Sequence, residues 1–153
     1  MKKSSIVAAL LGLWIFSGCE TEPVDPVINN GTLITRAYEM LDLSNGSQHE
    51  RYLSMQLFIF DERENAVEIN SYDDLLEGRA FVPSTQLNVS NIYSSYDEDG
   101  TNITDLEPGN YLVSVIELEE GRWSYIHINV ESNERLILEK EFDRNLRFSY
   151  DEW

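Results

Sequence analysis

The chain is 153 residues long, with 28 acidic side chains against 11 basic ones and a formal charge of −17 at pH 7. So acidic a surface repels nucleic acid and anionic membrane surfaces, and no nucleic-acid partner is expected. Apolar residues make up 42% of the chain, enough for a packed core and too many for a disordered acidic tail.

The N-terminus reads as an export signal. Lys2 and Lys3 precede an apolar run from Ile6 to Phe16, and the small Ser17 and Gly18 precede Cys19, the single cysteine. A membrane span needs roughly 20 apolar residues, so this run fits a secretory h-region better. An ordinary signal peptide is the alternative, but it would leave a lone thiol exposed in an oxidising compartment. Phe16-Ser17-Gly18-Cys19 resembles a bacterial lipobox, with Phe16 where that family usually carries Leu. The resemblance implies cleavage before Cys19, then a diacylglyceryl thioether and an N-acyl group on Cys19. Two or more acyl chains anchor stably where one does not. Residues 1–18 are then a lipoprotein signal peptide. Losing Lys2 and Lys3 takes the charge from −17 to −19 and leaves Lys140 as the only lysine.

Residues 19–31 read as an acidic, flexible tether. Glu20, Glu22 and Asp25, the prolines at 23 and 26, and Asn29-Asn30-Gly31 all disfavour packed structure. Cys19-Glu20-Thr21-Glu22-Pro23-Val24-Asp25 resembles the surface-export signal of Bacteroidota lipoproteins, with a plain solvated linker as the alternative.

Residues 32–153 read as one β domain. Thr32 to Leu43 is a strand with apolar residues on both parities, and Ser44-Asn45-Gly46-Ser47 is turn chemistry. Tyr52 to Asp61 is the strongest strand. Leu53, Met55, Leu57 and Ile59 share one face, with Phe58 and Phe60 on the other. Arg63-Glu64-Asn65 leads to Ala66–Ile69, expected to return as a hairpin. Ser71 to Gly78 predicts a helix of at most two turns, capped by Ser71, with Asp73 and Asp74 in its first turn. Ala80-Phe81-Val82 before Pro83 predicts a short edge segment. Gln86 to Ile92 alternates, then gives way to a polar, Tyr-rich loop through Asp99-Gly100. The last third predicts a regular meander of Tyr111–Leu118, Trp123–Val130 and Leu136–Phe142, with Leu146–Tyr150 as a short final strand. Seven or eight short strands separated by turn signals predict an all-β antiparallel sandwich with at most one short helix.

The segment Asp99-Gly100, continuing through Leu106-Glu107-Pro108-Gly109-Asn110-Tyr111-Leu112-Val113-Ser114-Val115, is similar to the D-G…L-x-P-G-x-Y-x-V-x-V stretch of transthyretin-like, prealbumin-like sandwiches. Leu106 would plug one end of the core, Pro108-Gly109 would turn the chain, and Tyr111 would open the next strand. Leu57-Phe58-Ile59-Phe60-Asp61 resembles a hairpin of the fimbrillin-like anchor lipoproteins of Bacteroidota pili. Arg63-Glu64-Asn65 stands where that family places a glycine. The resemblance implies a transthyretin-like or immunoglobulin-like sandwich. It also implies a structural, assembly or adhesion role at the outer membrane or cell surface, with an envelope or pilus protein as partner.

Catalytic signatures are missing from the sequence. His49 and His127 are the only histidines, and neither His-Glu-x-x-His nor Gly-x-Ser-x-Gly occurs. A non-enzyme is expected, with a small hydrolase the last of the readings. Asp97-Glu98-Asp99-Gly100 invites comparison with a calcium loop. Taking Gly100 as the sixth position puts Leu106 twelfth, where an EF-hand needs Glu. A solvated turn is preferred, and an irregular calcium site of Asp97, Asp99 and Asp105 is the alternative. No other cofactor is expected.

Trp123 and Tyr125 take the outward parity of their strand, and Tyr93 and Tyr96 lie in the preceding loop. Aromatics among acidic neighbours can stack on sugar rings or anchor a protein, so these four are the candidate ligand-binding residues. The competing expectation is that a second sheet or the helix covers that face. Function is thus expected to be that of a lipid-anchored, non-catalytic envelope module. The alternative is a carbohydrate- or protein-binding accessory lipoprotein.

Overall fold

The computed structural model describes residues 29–153; the expected signal peptide, Cys19 and most of the tether lie outside them. In chain order the elements are β1 (Gly31–Asp42), β2 (Gln48–Tyr52), β3 (Met55–Asp61), α1 (Tyr72–Leu76), β4 (Arg79–Val82), β5 (Leu87–Ser90), β6 (Tyr93–Asp97), β7 (Thr101–Leu106), β8 (Gly109–Glu117), β9 (Trp123–Val130) and β10 (Arg135–Glu141). The fold is the expected all-β sandwich with one short helix, and it carries ten strands among the described residues rather than seven or eight.

One sheet has the order β6-β3-β8-β9 and is antiparallel throughout. The other is built around the long strand β1. Tyr38 pairs with Glu141 of β10 on one edge and with Tyr52 of β2 on the other. β7 occupies that second edge further back, pairing from Gly31 to Arg36. β2 and β7 therefore follow one another along the same side of β1. Gly100 sits at their junction, packed against the Leu53 backbone, and its carbonyl accepts from Ala37 N at 2.9 Å.

Two clusters define the interior. Between the sheets lie Leu33, Ala37, Met55, Leu57, Ile59, Tyr111, Val113, Val115 and Leu138. On the far face of the β3–β8 sheet lie Phe58, Phe60, Leu112 and Ile116, covered by Val67, Ile69, Leu75 of α1, and Ala80 and Val82 of β4. β3 and β8 are thus apolar on both parities because they are buried on both faces. Each fully buried Leu, Ile or Phe contributes about 1.5–3 kcal/mol relative to exposure, so the segment between β3 and β6 is a third layer of the structure.

Several sequence expectations give way to tertiary pairing. The expected strand Tyr52–Asp61 is split at Leu53-Ser54, because β2 belongs to the β1 sheet and β3 to its opposite. Leu53 N bonds Ala37 O at 3.0 Å, and Leu118 N bonds Ser54 O at 3.1 Å, so the chain crosses between layers at that point. The Ala66–Ile69 hairpin is absent. Glu68 makes one bridge to Phe81 while Val67 and Ile69 turn inward. The Tyr-rich loop is strand β6, paired with β3. The terminal meander is broken: β10 leaves β9, crosses to the other sheet and pairs parallel with β1. Thr32 N meets Glu134 O at 2.7 Å at that crossing, and Leu138 is thereby placed in the inter-sheet core. Leu146–Tyr150 is reduced to a single parallel bridge between Trp123 and Tyr150.

The remaining local expectations are met. Ser71 caps α1, accepting a hydrogen bond from Asp74 N at 3.1 Å. Tyr111 opens β8 and its hydroxyl donates to Glu107 O at 2.8 Å, the tie that fixes a tyrosine corner in many sandwiches. Leu106 is buried at one end of the core.

Candidate functional site

β9 is an edge strand, so one face of it lies along the rim of the third layer. Its register against β8 pairs Ile116 with Trp123, Ser114 with Tyr125 and Leu112 with His127. Ile126, Ile128 and Val130 take the opposite parity and pack between the sheets. Trp123, Tyr125 and His127 therefore form a row on the outer face. Trp123 and Tyr125 are half-buried against the cluster of Phe58, Phe60 and Leu112, while His127 is exposed. The third layer covers the middle of that face and stops short of its β9 margin.

The row is closed at one end by Tyr150. Its ring lies 5.0 Å from that of Trp123 and 5.3 Å from that of Tyr125. Trp123 and Tyr125 stack at 6.3 Å, and His127 meets the Tyr125 ring edge-on at 6.0 Å. Trp123 N bonds Ser149 O, and Asp151 N bonds Trp123 O, which holds the C-terminal segment beside β9. Burial pushes the Tyr150 hydroxyl pKa above its ordinary value, with Tyr125 adding to the effect.

Beside this row lies a cleft of about 330 Å³ lined by Glu62, Ala66, Asn110, His127 and Ile128. His127 Nδ1 is 2.8 Å from Glu62 Oε2. A carboxylate in that position accepts, so Nδ1 carries the proton. Glu62 is itself held by Val67 N, which donates to its Oε1 at 2.9 Å. Asn129 Nδ2 donates to Asn110 Oδ1 at 2.8 Å, which leaves the Asn110 amino group and the Asn129 carbonyl as further polar groups there.

The other candidate residues are dispersed. Tyr93, Ser95 and Asp97 face inward on β6, opposite Ile59, Leu57 and Met55. The buried Asn102 of β7 donates to Tyr93 Oη at 3.2 Å, to Ser95 Oγ at 2.9 Å and to Asp97 Oδ2 at 3.2 Å. Tyr93 and Asp97 are thereby engaged in joining the two sheets, and Tyr96 is the exposed member of the strand. Asp99 Oδ1 accepts from Thr101 N, and Asp105 Oδ1 accepts from Thr32 Oγ1. Asp105 lies four residues beyond Thr101 along β7, roughly 13 Å at the rise of a strand. Asp97, Asp99 and Asp105 do not converge. Among the described residues no group of three or more His, Cys, Asp or Glu could hold a metal ion.

A set of residues that sequence reasoning did not single out closes the end of the sandwich away from the Glu62–His127 cleft. Arg122 and Glu117 are fully buried and Glu39 nearly so. Arg122 Nε lies 3.1 Å from Glu117 Oε2, and its Nη1 lies 3.1 Å from both Glu39 Oε2 and Asp143 O. Glu117 also accepts from the backbone N–H of Glu119 and Glu120. Arg122 and Lys140 flank the Phe142 ring, at 5.5 Å and 5.2 Å. An arginine next to a turn glycine carries no sequence signal for burial. Only the apposition of β1 with the β8–β9 turn buries it.

No family model matches the chain, and no curated protein matches it. Among solved structures, a putative carbohydrate binding protein from Pseudomonas aeruginosa aligns with 10% identity and a TM-score of 0.30, over 74% of this chain and 90% of that one. What the molecule does must be read from its own residues.

Proposed function

We propose that the protein is a lipid-anchored, non-catalytic module of the cell envelope, held at the outer membrane or cell surface through Cys19. Its domain serves as a structural, assembly or adhesion unit, with an envelope or pilus protein as partner. What supports this is the use made of the buried ionisable groups. Glu39, Glu117 and Arg122 hold one another and Arg51 in place across the two sheets instead of lining a cleft. Catalytic acids and bases are expected in clefts, where they reach substrate, and this buried set is not placed so. Mass spectrometry of detergent-extracted protein is expected to find an acylated N-terminal Cys19. A Cys19→Ala variant that stays fully membrane-bound would overturn the anchor.

A second reading, an accessory module that binds glycan or protein, is favoured by the Trp123–Tyr125–Tyr150 row at the rim of the third layer. Glycan-array binding that disappears in Trp123→Ala would support it.

A further inference from the structure

The geometry points to a binding site for a neutral saccharide in the cleft formed by Glu62, Asn110 and His127 beside Tyr125. This site adjoins the aromatic row at its His127 end, and it rests on the second reading above, that the protein binds a ligand on this face.

Three features of the cleft select the ligand. The first is its polar set. A carboxylate offers acceptors only, and the paired carboxamides of Asn110 and Asn129 retain both donors and an acceptor after their mutual bond. Adjacent hydroxyls of a sugar each donate and accept, so they can satisfy such a mixed set without a charge on the ligand. The second is charge. The lining contains Glu62 and neither lysine nor arginine. The nearby Arg63 is committed to Asp61 and Glu107. An anionic ligand would meet a carboxylate in a strongly acidic protein with no cation to receive it, whereas a neutral polyhydroxyl ligand suffers no such repulsion. The third is shape. His127 lines the cleft and meets the Tyr125 ring edge-on, which sets an aromatic side chain next to the cleft, and an aromatic face with its negative quadrupole favours the C–H face of a pyranose. At about 330 Å³ the cleft is at the small end of ligand sites, in keeping with a short saccharide unit.

The polar groups are also pre-positioned, because fixed groups lose little freedom when a ligand arrives. Glu62 is fixed by Val67 N and fixes His127 in turn. Asn129 fixes Asn110. α1 and the β4–β5 hairpin sit on the same face, so the wall carrying Ala66 is part of the packed third layer.

The test uses the full chain, extracted in detergent. It is screened on an array of neutral oligosaccharides with sialylated and sulfated glycans as counter-set, and the responding saccharide is then titrated by calorimetry. Binding is expected for neutral glycans and not for the anionic set. Asn110→Ala and His127→Ala, both at exposed positions, are expected to weaken it at least about tenfold each, with melting temperatures essentially unchanged. Binding that survives both variants but is lost in Trp123→Ala would overturn the cleft while leaving the aromatic reading intact. Preference for anionic glycans, or binding to none of either set, would overturn the inference outright.

Discussion

Arg122 Nη1 lies 3.1 Å from Glu39 Oε2, a contact between residues 83 positions apart that ties the turn after β8 to the C-terminal part of β1. Both side chains are withdrawn from water, so the pair is held by geometry and by additional hydrogen bonds and not by Coulomb attraction alone. Removing one partner leaves buried carboxylates uncompensated. Arg122→Met is expected to cost about 3–5 kcal/mol in urea unfolding. Adding Glu39→Leu to the same chain should recover part of that loss. A single-variant loss below about 1 kcal/mol would show that the pair is dispensable.

Gly100 and Gly46 both have positive φ, +66° and +81°, yet their surroundings differ. A Cβ on Gly46 meets nothing within 4 Å, while one on Gly100 would lie 2.6 Å from Leu53 O and 2.8 Å from Ala37 O. Gly46→Ala is therefore expected to cost only the backbone term, about 1–2 kcal/mol. Gly100→Ala must also push back the Leu53 backbone and β1 at Ala37, and should be clearly the worse of the two. Equal losses by thermal melting would contradict the junction described above.

Ser71 both accepts from Asp74 N at 3.1 Å and donates to Asp74 Oδ2 at 2.7 Å. That hydroxyl, followed by Arg79, holds the Asp74 carboxyl below its ordinary value. Asp61 is lowered chiefly by its Arg63 hydrogen bond, and Asp143 by the Asn145 backbone N–H. For a carboxylate lowered in the fold, the stabilisation is present above the ordinary value of 3.8 and is lost as pH falls through the folded value. Acid unfolding is thus expected to set in below about pH 4. In Ser71→Ala the Asp74 titration followed by NMR should move up, with about 1 kcal/mol lost from the missing cap. An unmoved Asp74 titration would remove Ser71 as the cause.

At the alkaline end the sign is opposite. Burial raises the hydroxyl pKa of Tyr38, Tyr72, Tyr111 and Tyr150 above 10.0. Their stabilisation is fully present below pH 10 and is lost as pH rises through the folded values. Tyr111→Phe, which also removes the bond to Glu107 O, is expected to cost about 1 kcal/mol at neutral pH and to lose less on further alkalinisation. Parallel alkaline curves for the two proteins would refute the assignment to Tyr111.

With 28 acidic and 11 basic residues in the chain, many carboxylates have no cationic partner to meet. Salt is expected to raise the melting temperature by screening their repulsion. Because Asp97, Asp99 and Asp105 are engaged separately, calcium and magnesium should act alike at equal ionic strength. A calcium-selective rise that disappears in Asp97→Asn/Asp99→Asn would make this loop a site after all.

Local chemistry settled the all-β class, the single capped turn of helix, the start of β8 near Tyr111 and the two apolar parities of Leu57-Phe58-Ile59-Phe60, because each rests on periodicity, caps or turn residues within a few positions. The same local reading could place Trp123 and Tyr125 on one face of their strand, but not say what stood beside them. Partner choice belonged to the tertiary structure. β10 pairs with β1 across a hundred residues because burying Leu138 between the sheets outweighs continuing a hairpin from β9. Residues 52–61 divide at Leu53-Ser54 for the same reason, as their two halves serve opposite sheets. The cleft was equally hidden: Glu62 and His127 are 65 positions apart, and nothing in either local sequence marks the other. Periodicity reports which side of a strand is apolar; only the packing of distant segments decides which polar groups converge.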